Sequence, residues 1–249
     1  MKIEVCINRL EDVALLQSLA VDRIELCVEL ACGGLTPSLA MVEQALAIST
    51  LPIHVLVRPR SGHFVYSEAT LFEMKKTIAQ LQDLGADGIV TGALTQERKL
   101  PLAVLKSFRS IVSKGKLYFH RAFDEVNTPA KALEDLITLG YDGVLTSGQE
   151  SSALAGIHSL KQWKTQANGK LIILPGGGIN ADNCLQFKAL DFEWLHLSAK
   201  KAVDDLPKSL FSAPQYGLDV EALNKVIALL KPRFYPSGLF YSERKNWPK

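Results

Sequence analysis

The chain has 249 residues, a 47% hydrophobic fraction and a formal net charge of +2. That length can bury a large core as one domain, and α/β barrels commonly reach it. Acids and bases are interspersed, which gives no electrostatic reason to expect nucleic acid or a membrane surface as partner, and no apolar run approaches a membrane span.

The opening segment MKIEVCINRLEDV turns acidic at once and lacks an apolar h-region. A signal peptide is therefore not expected, and a cytoplasmic location follows. The four cysteines, Cys6, Cys27, Cys32 and Cys184, match no zinc-ribbon or finger spacing. In a reducing compartment they are expected to be free thiols.

KIEVCI, from Lys2, reads as a first strand, and 10–20 as a helix. RIELC, from Arg23, reads as a second strand. Glu25 lies inside it, where a buried carboxylate is costly without a task or a partner. A loop with Gly33-Gly34 follows. Thr36 as N-cap and Pro37 at the first helical position open a helix over 37–49. PIHVLV from Pro52 is the third strand, and 68–85 a helix. GADGIVTG (85–92), KLYFHRA from Lys116, GYDGVLTSG (140–148), KLIILPGGG from Lys170 and ALDFEWLHLSA (189–199) supply five more strands. Helical spacing recurs over 100–115, 128–140, 152–166 and 180–190. A last helix, 219–231, comes after a long loop.

Segments 20–27, 85–92, 140–148 and 189–199 share one form. Each has a helix end, an Asp soon after, and an apolar run ending in small or polar residues. Strictly alternating βα units imply a parallel sheet, and eight of them a closed TIM (β/α)₈ barrel. An open doubly wound sheet would need G-x-G-x-x-G after the first strand, where Asn8-Arg9 stands. One domain is expected over 1–231. The aromatic tail, 232–249, would pack on the barrel or at a subunit contact.

Barrel sites lie at the C-terminal ends of the strands, and strand residues alternate between interior and helix-facing sides. Glu4 with Cys6, Glu25 with Cys27, His54 with Arg58, Tyr118 with His120, and His196 with Ser198 therefore point inward. Such charges mark either a functional site or a satisfied ion-pair layer, such as Glu25 with Arg58. His120 could act as general acid/base, with Asp124 or Glu25 orienting it. His54 and His158 read as hydrogen-bonded structural histidines.

Pro175-Gly176-Gly177-Gly178-Ile179-Asn180 and Ser198-Ala199 follow the seventh and eighth strands, where barrels often hold phosphate. Backbone amides at Gly177 and Gly178, with a short helix N-terminus, suit an anion. Ser147, after the sixth strand, could extend the site. Arg58 and Arg60 flank Pro59 in a cationic lip suited to gripping carboxylate or phosphate. Cys6 and Cys27, inward on neighbouring strands, could hold Cu(I) in two-coordinate fashion, with Cys32 as a third sulfur. Free cysteine also packs as a small hydrophobe, and the residues alone favour that reading.

Together, RIELC…GGLTPS (23–38), VRPRSG-x-FVYS (57–67), FHRAFD (119–124), VLTSG (144–148), PGGGI (175–179) and LHLSA (195–199) resemble the CutC copper-homeostasis family. The resemblance implies a cytoplasmic, homo-oligomeric TIM barrel associated with copper tolerance, with Cys6 and Cys27 matching its copper ligands. Departures are His63, where the family suggests Asp, a segment 200–217 without the expected Arg-Asn pair, and the extended tail. Beside a non-catalytic scaffold or oligomer with a merely structural polar interior, two functions stand open. One is Cu(I) binding in copper homeostasis. The other is an enzyme acting on a small phosphorylated or carboxylated metabolite, using Glu25, His120 and Asp124, with Arg58, Arg60, Ser147, Gly177, Gly178 and Ser198 holding the anion.

Overall fold

The computed structural model describes residues 1–203 and 215–232. Its centre is a parallel sheet of eight strands: β1 Lys2–Ile7, β2 Arg23–Leu26, β3 Ile53–Val57, β4 Gly88–Thr91, β5 Lys116–Phe119, β6 Gly143–Thr146, β7 Ile172–Pro175 and β8 Trp194–Leu197. The strands lie in sequence order, with β8 beside β1. A single parallel bridge, Gly176–His196, joins the ends of the β7 and β8 segments and closes the ring. The helices α1 Leu10–Leu16, α2 Leu39–Ile48, α3 Glu68–Asp83, α4 Leu102–Ile111, α5 Pro129–Thr138, α6 Ile157–Ala167, α7 Cys184–Ala189 and α8 Val220–Leu230 alternate with the strands. The TIM barrel expected from the alternation is the observed fold. Most of the tail, 233–249, lies outside the described residues.

The repeated aspartate has a structural task. Asp22 accepts the Ile3 amide at 2.7 Å, Asp87 the Ile53 amide at 2.8 Å, and Asp142 the Leu117 amide at 2.9 Å. Each carboxylate satisfies the first free amide of the strand preceding its own, so β1, β3 and β5 are anchored by the turns into β2, β4 and β6. Asp191, in the fourth copy, turns the chain with a left-handed φ of 55°.

Alternation divides the strand residues as expected. Ile3, Val5, Ile24, Leu26, Val55 and Val57 join the large apolar layer under the helices. Cys6, Cys27, Leu56, Val90, Tyr118 and Leu145 belong to a separate interior cluster. Glycines make room for large rings there. A Cβ on Gly143 would lie 2.3 Å from the Tyr118 ring, and one on Gly88 2.4 Å from the His54 ring.

Two local expectations are corrected. Ser38, not Thr36, caps α2, accepting the Met41 amide at 3.2 Å. The Thr36 hydroxyl instead accepts the Arg58 amide at 2.8 Å, a long-range bond that takes it from the helix. The loop expected after β8 contains a short antiparallel pair, β9 Lys200–Ala202 with β10 Tyr216–Leu218.

Candidate functional site

The register of the first strands assembles the floor of the site. Cys6 faces Glu25 across β1 and β2, and Glu4 faces His196 across β1 and β8. Above them the strand ends open on a cavity of about 400 Å³. Cys6, Glu25 and His196 line its base, Arg58, Phe64 and His120 one wall, and Arg121, Gly177, Gly178, Ser198 and Lys200 its upper parts.

Glu4 organises the layer beneath. One carboxylate oxygen accepts from Arg23 Nε at 2.6 Å, and the other is 2.7 Å from His196 Nδ1. Arg23 also donates to the Tyr118 hydroxyl at 3.2 Å and lies over the Trp194 ring at 4.0 Å. Burial alone would neutralise Glu4, but Arg23 with His196 and His54 holds its carboxyl down at about 2. Burial likewise opposes charge on His196, but Glu25, Cys6 and Glu4 outweigh it and hold the imidazolium well above its ordinary range. The Glu25 carboxyl is pushed up, first by burial and then by the Glu4 charge, against the pull of His196 and Cys6. Its Oε2 is buried and makes no hydrogen bond.

The two inward thiols meet. Cys6 Sγ and Cys27 Sγ are 3.4 Å apart, and both cysteines are reduced and buried. The hydrogen bond with Cys27, and then burial, push the Cys6 thiol well up. Gly34 roofs the pair: with φ at 87°, a Cβ there would sit 3.4 Å from Cys27 Sγ and 2.8 Å from Leu56 Cδ2. Cys32 is exposed and donates to the Glu29 carbonyl at 3.2 Å. Cys184 is buried at the start of α7, away from the site.

Arg58 does not pair with Glu25. Its guanidinium donates to the carbonyls of Cys32 (2.9 Å), Gly34 (3.0 Å) and Gly62 (3.1 Å), tying the loops after β2 and β3 together. Arg60 folds back on its own loop, donating to His63 O at 2.9 Å and Val65 O at 2.7 Å. His63 is the exposed partner of that arginine. Arg60 therefore stiffens the lip rather than facing the cavity.

His120 accepts the Ala122 amide at Nδ1, 3.2 Å away, which places the ring proton on Nε2. That Nε2 is buried without a partner on the cavity wall. Burial first, and then Arg58, push its pKa down to about 3, so the imidazole is neutral. Asp124 does not orient it. Its carboxylate accepts the Ser147 amide at 3.0 Å, the Gln149 amide at 3.2 Å, Arg121 Nε at 2.8 Å and the Thr146 hydroxyl. Ser147 is enclosed in that network, its hydroxyl accepting from Arg121 at 2.7 Å.

Gly177 and Gly178 keep left-handed φ values of 111° and 74° at the cavity edge. The Asn183 side chain closes the turn, accepting the Asn180 amide at 3.0 Å and donating to Gly178 O at 2.9 Å. The short α7 begins only after this closure. His54 is buried in a tilted contact with the Tyr118 ring, centroids 5.2 Å apart, and its Nδ1 makes no hydrogen bond. His196, read from the sequence only as inward-facing, becomes a central member of the site, and Arg23 joins it as one that residue-level reading did not select. For Arg23 the signal was present, since positions 23, 25 and 27 share one face.

A closed parallel barrel with a cavity at its C-terminal mouth, and paired thiols and a charged layer below it, defines a TIM barrel with a polar interior. Comparison with known proteins makes the assignment specific: the chain belongs to the CutC family, whose model matches residues 1–201. A family protein CutC of Glaesserella parasuis is 39% identical over 93% of this chain and 98% of its own length. The copper homeostasis protein cutC homolog of Homo sapiens is 37% identical over 91% of this chain and 86% of its own. The crystal structure of a copper homeostasis protein CutC from Streptococcus agalactiae superposes with a TM-score of 0.75 at 28% identity, covering 80% of this chain and 98% of that one. Among the described residues no helix is long and apolar enough to cross a membrane.

Proposed function

We propose that this protein handles Cu(I) in copper homeostasis, with Cys6 and Cys27 as the ligands. The observation that carries this is the reduced, buried sulfur pair 3.4 Å apart beside the cavity. Soft thiolates select Cu(I) over harder cations. Binding replaces one thiol–thiol hydrogen bond by two sulfur–copper bonds and releases protons. Cytoplasmic placement accords with four free cysteines. The copper role named for the human and streptococcal relatives supports the same reading. Titrating reduced protein with Cu(I) against a competing chelator tests it. The Cys6→Ser/Cys27→Ser variant should lose the tight site; unchanged affinity would place copper elsewhere.

A second reading rests on a different observation. Glu25 Oε2, His120 Nε2 and Arg58 Nε are all buried without partners, on residues that line one cavity. Unpaired buried polar atoms around a hollow suit a polar small molecule. In this reading the cavity binds a phosphorylated or carboxylated metabolite as an enzyme's substrate. Arg58, Gly177, Gly178 and Ser198 meet its anion, and neutral His120 donates a hydrogen bond to it. Phosphate titration monitored by thermal shift tests it, since wild type should be stabilised more than Gly177→Ala.

A further inference from the structure

Besides the two sulfurs, the floor holds a second donor set that shares only Cys6 with them. Cys6 Sγ, a Glu25 carboxylate oxygen and a His196 ring nitrogen all lie within 4.8 Å of one another. Tetrahedral donors around a metal with bonds of about 2.0–2.3 Å stand about 3.3–3.8 Å apart, so binding would draw these neighbouring atoms together. The residues come from three strands, β2, β1 and β8, brought side by side by the register described above.

Three further observations point to a ligand. Glu25 Oε2 is without a hydrogen-bond partner, on a residue only 4% exposed. The His196 Nδ1 is occupied by Glu4 at 2.7 Å, which leaves Nε2 as the nitrogen that takes a metal in exchange for its proton. Glu4 is itself fixed by Arg23 at 2.6 Å. A carboxylate that fixes the tautomer and orientation of a histidine is the usual support behind a metal-ligating imidazole. Finally, all three donors line the cavity, so a fourth coordination position faces open space.

We propose that Cys6, Glu25 and His196 form a three-ligand site for a divalent borderline cation of the Zn(II) class, with Glu4 as the positioning residue behind His196. One thiolate, one carboxylate and one imidazole match the preferences of Zn(II) rather than Cu(I) or Mg(II). Three protein ligands with an open position form the arrangement in which zinc polarises a bound water or a substrate oxygen. The site does not rest on the Cu(I) reading. It needs Glu25 and His196 but not Cys27, whereas the copper pair needs Cys27 but neither of these.

The test uses full-length protein, stripped with a chelator and kept reduced, and titrated with Co(II) alone and then Zn(II). One Co(II) should bind with thiolate-to-cobalt charge-transfer absorption, and Zn(II) should displace it. His196→Ala and Glu25→Gln should each weaken Co(II) binding by at least about tenfold. Cys27→Ser should change it by less than about threefold, a margin well inside such effects. Circular dichroism checks that each variant folds. Glu25→Gln, nearly isosteric, carries the test should His196→Ala not fold. Absence of the charge-transfer band overturns the proposal, as does Co(II) affinity indifferent to both Glu25 and His196. Loss of the site in Cys27→Ser overturns the donor set. Failure of the copper reading would show separately, as Cu(I) affinity unaffected by Cys27→Ser.

Discussion

Glu4 and Arg23 meet at 2.6 Å with side chains only 1% and 5% exposed. They sit on adjacent strands, directly across the β1–β2 ladder. Removing one partner from a buried pair leaves the other charge uncompensated. Arg23→Met and Glu4→Gln should each destabilise the fold by about 3–5 kcal/mol in urea unfolding. The double replacement should cost less than the sum of the two. Additive losses would mean that the pair is not coupled.

His120 makes stability fall with acidification. Its folded pKa, about 3, lies below the 6.5 of an unperturbed histidine. Between those values the unfolded chain binds a proton that the folded protein refuses, so stability is lost as pH falls through that window. His120→Gln should flatten the wild-type stability profile there by up to about 1.4 kcal/mol per pH unit. Denaturant titrations at several acidic pH values measure it. Identical slopes for the two proteins would refute the buried neutral imidazole.

Copper uptake should compete with protons. The Cys6 thiol is held protonated by Cys27 and by burial. Apparent Cu(I) affinity should therefore rise with pH by about tenfold per unit for each proton displaced. A chelator competition run at stepped pH reads this directly. A flat profile would exclude thiolate ligation by Cys6.

Gly143 faces the barrel interior against the Tyr118 ring, 2.3 Å from the position of a Cβ. The Ile172 carbonyl is 2.9 Å from the same position. Gly143→Ala should overpack this layer and cost about 1–3 kcal/mol. Tyr118→Leu in the same chain should recover part of the loss. Thermal unfolding of the three variants decides it.

The barrel was legible because each strand carries its own period-two pattern, and the repeated aspartate marks where strands begin. The inward positions of Glu4, Glu25, Cys27 and His196 followed from that alternation alone. The partners of these residues did not. A buried arginine is satisfied equally well by a carboxylate or by carbonyls, and only the loop geometry gives Arg58 the carbonyls of Cys32, Gly34 and Gly62. Asp124 likewise looks available in the sequence. The 3₁₀ turn Arg121–Glu125 aims it away from His120 and onto the amides after β6. Thr36 and Ser38 are both capping residue types two positions apart, and a bond from a distant strand end chose between them.

The lone Gly176–His196 bridge gives the ring a preferred place to breathe. On one side of it stands the glycine turn, and on the other the strand that carries His196. Local opening there would part the mouth beside the otherwise sealed floor without disturbing the ladders around β1 to β6. Access to the floor would then be timed by a backbone fluctuation rather than a side-chain gate, and amide exchange across this seam would report its frequency.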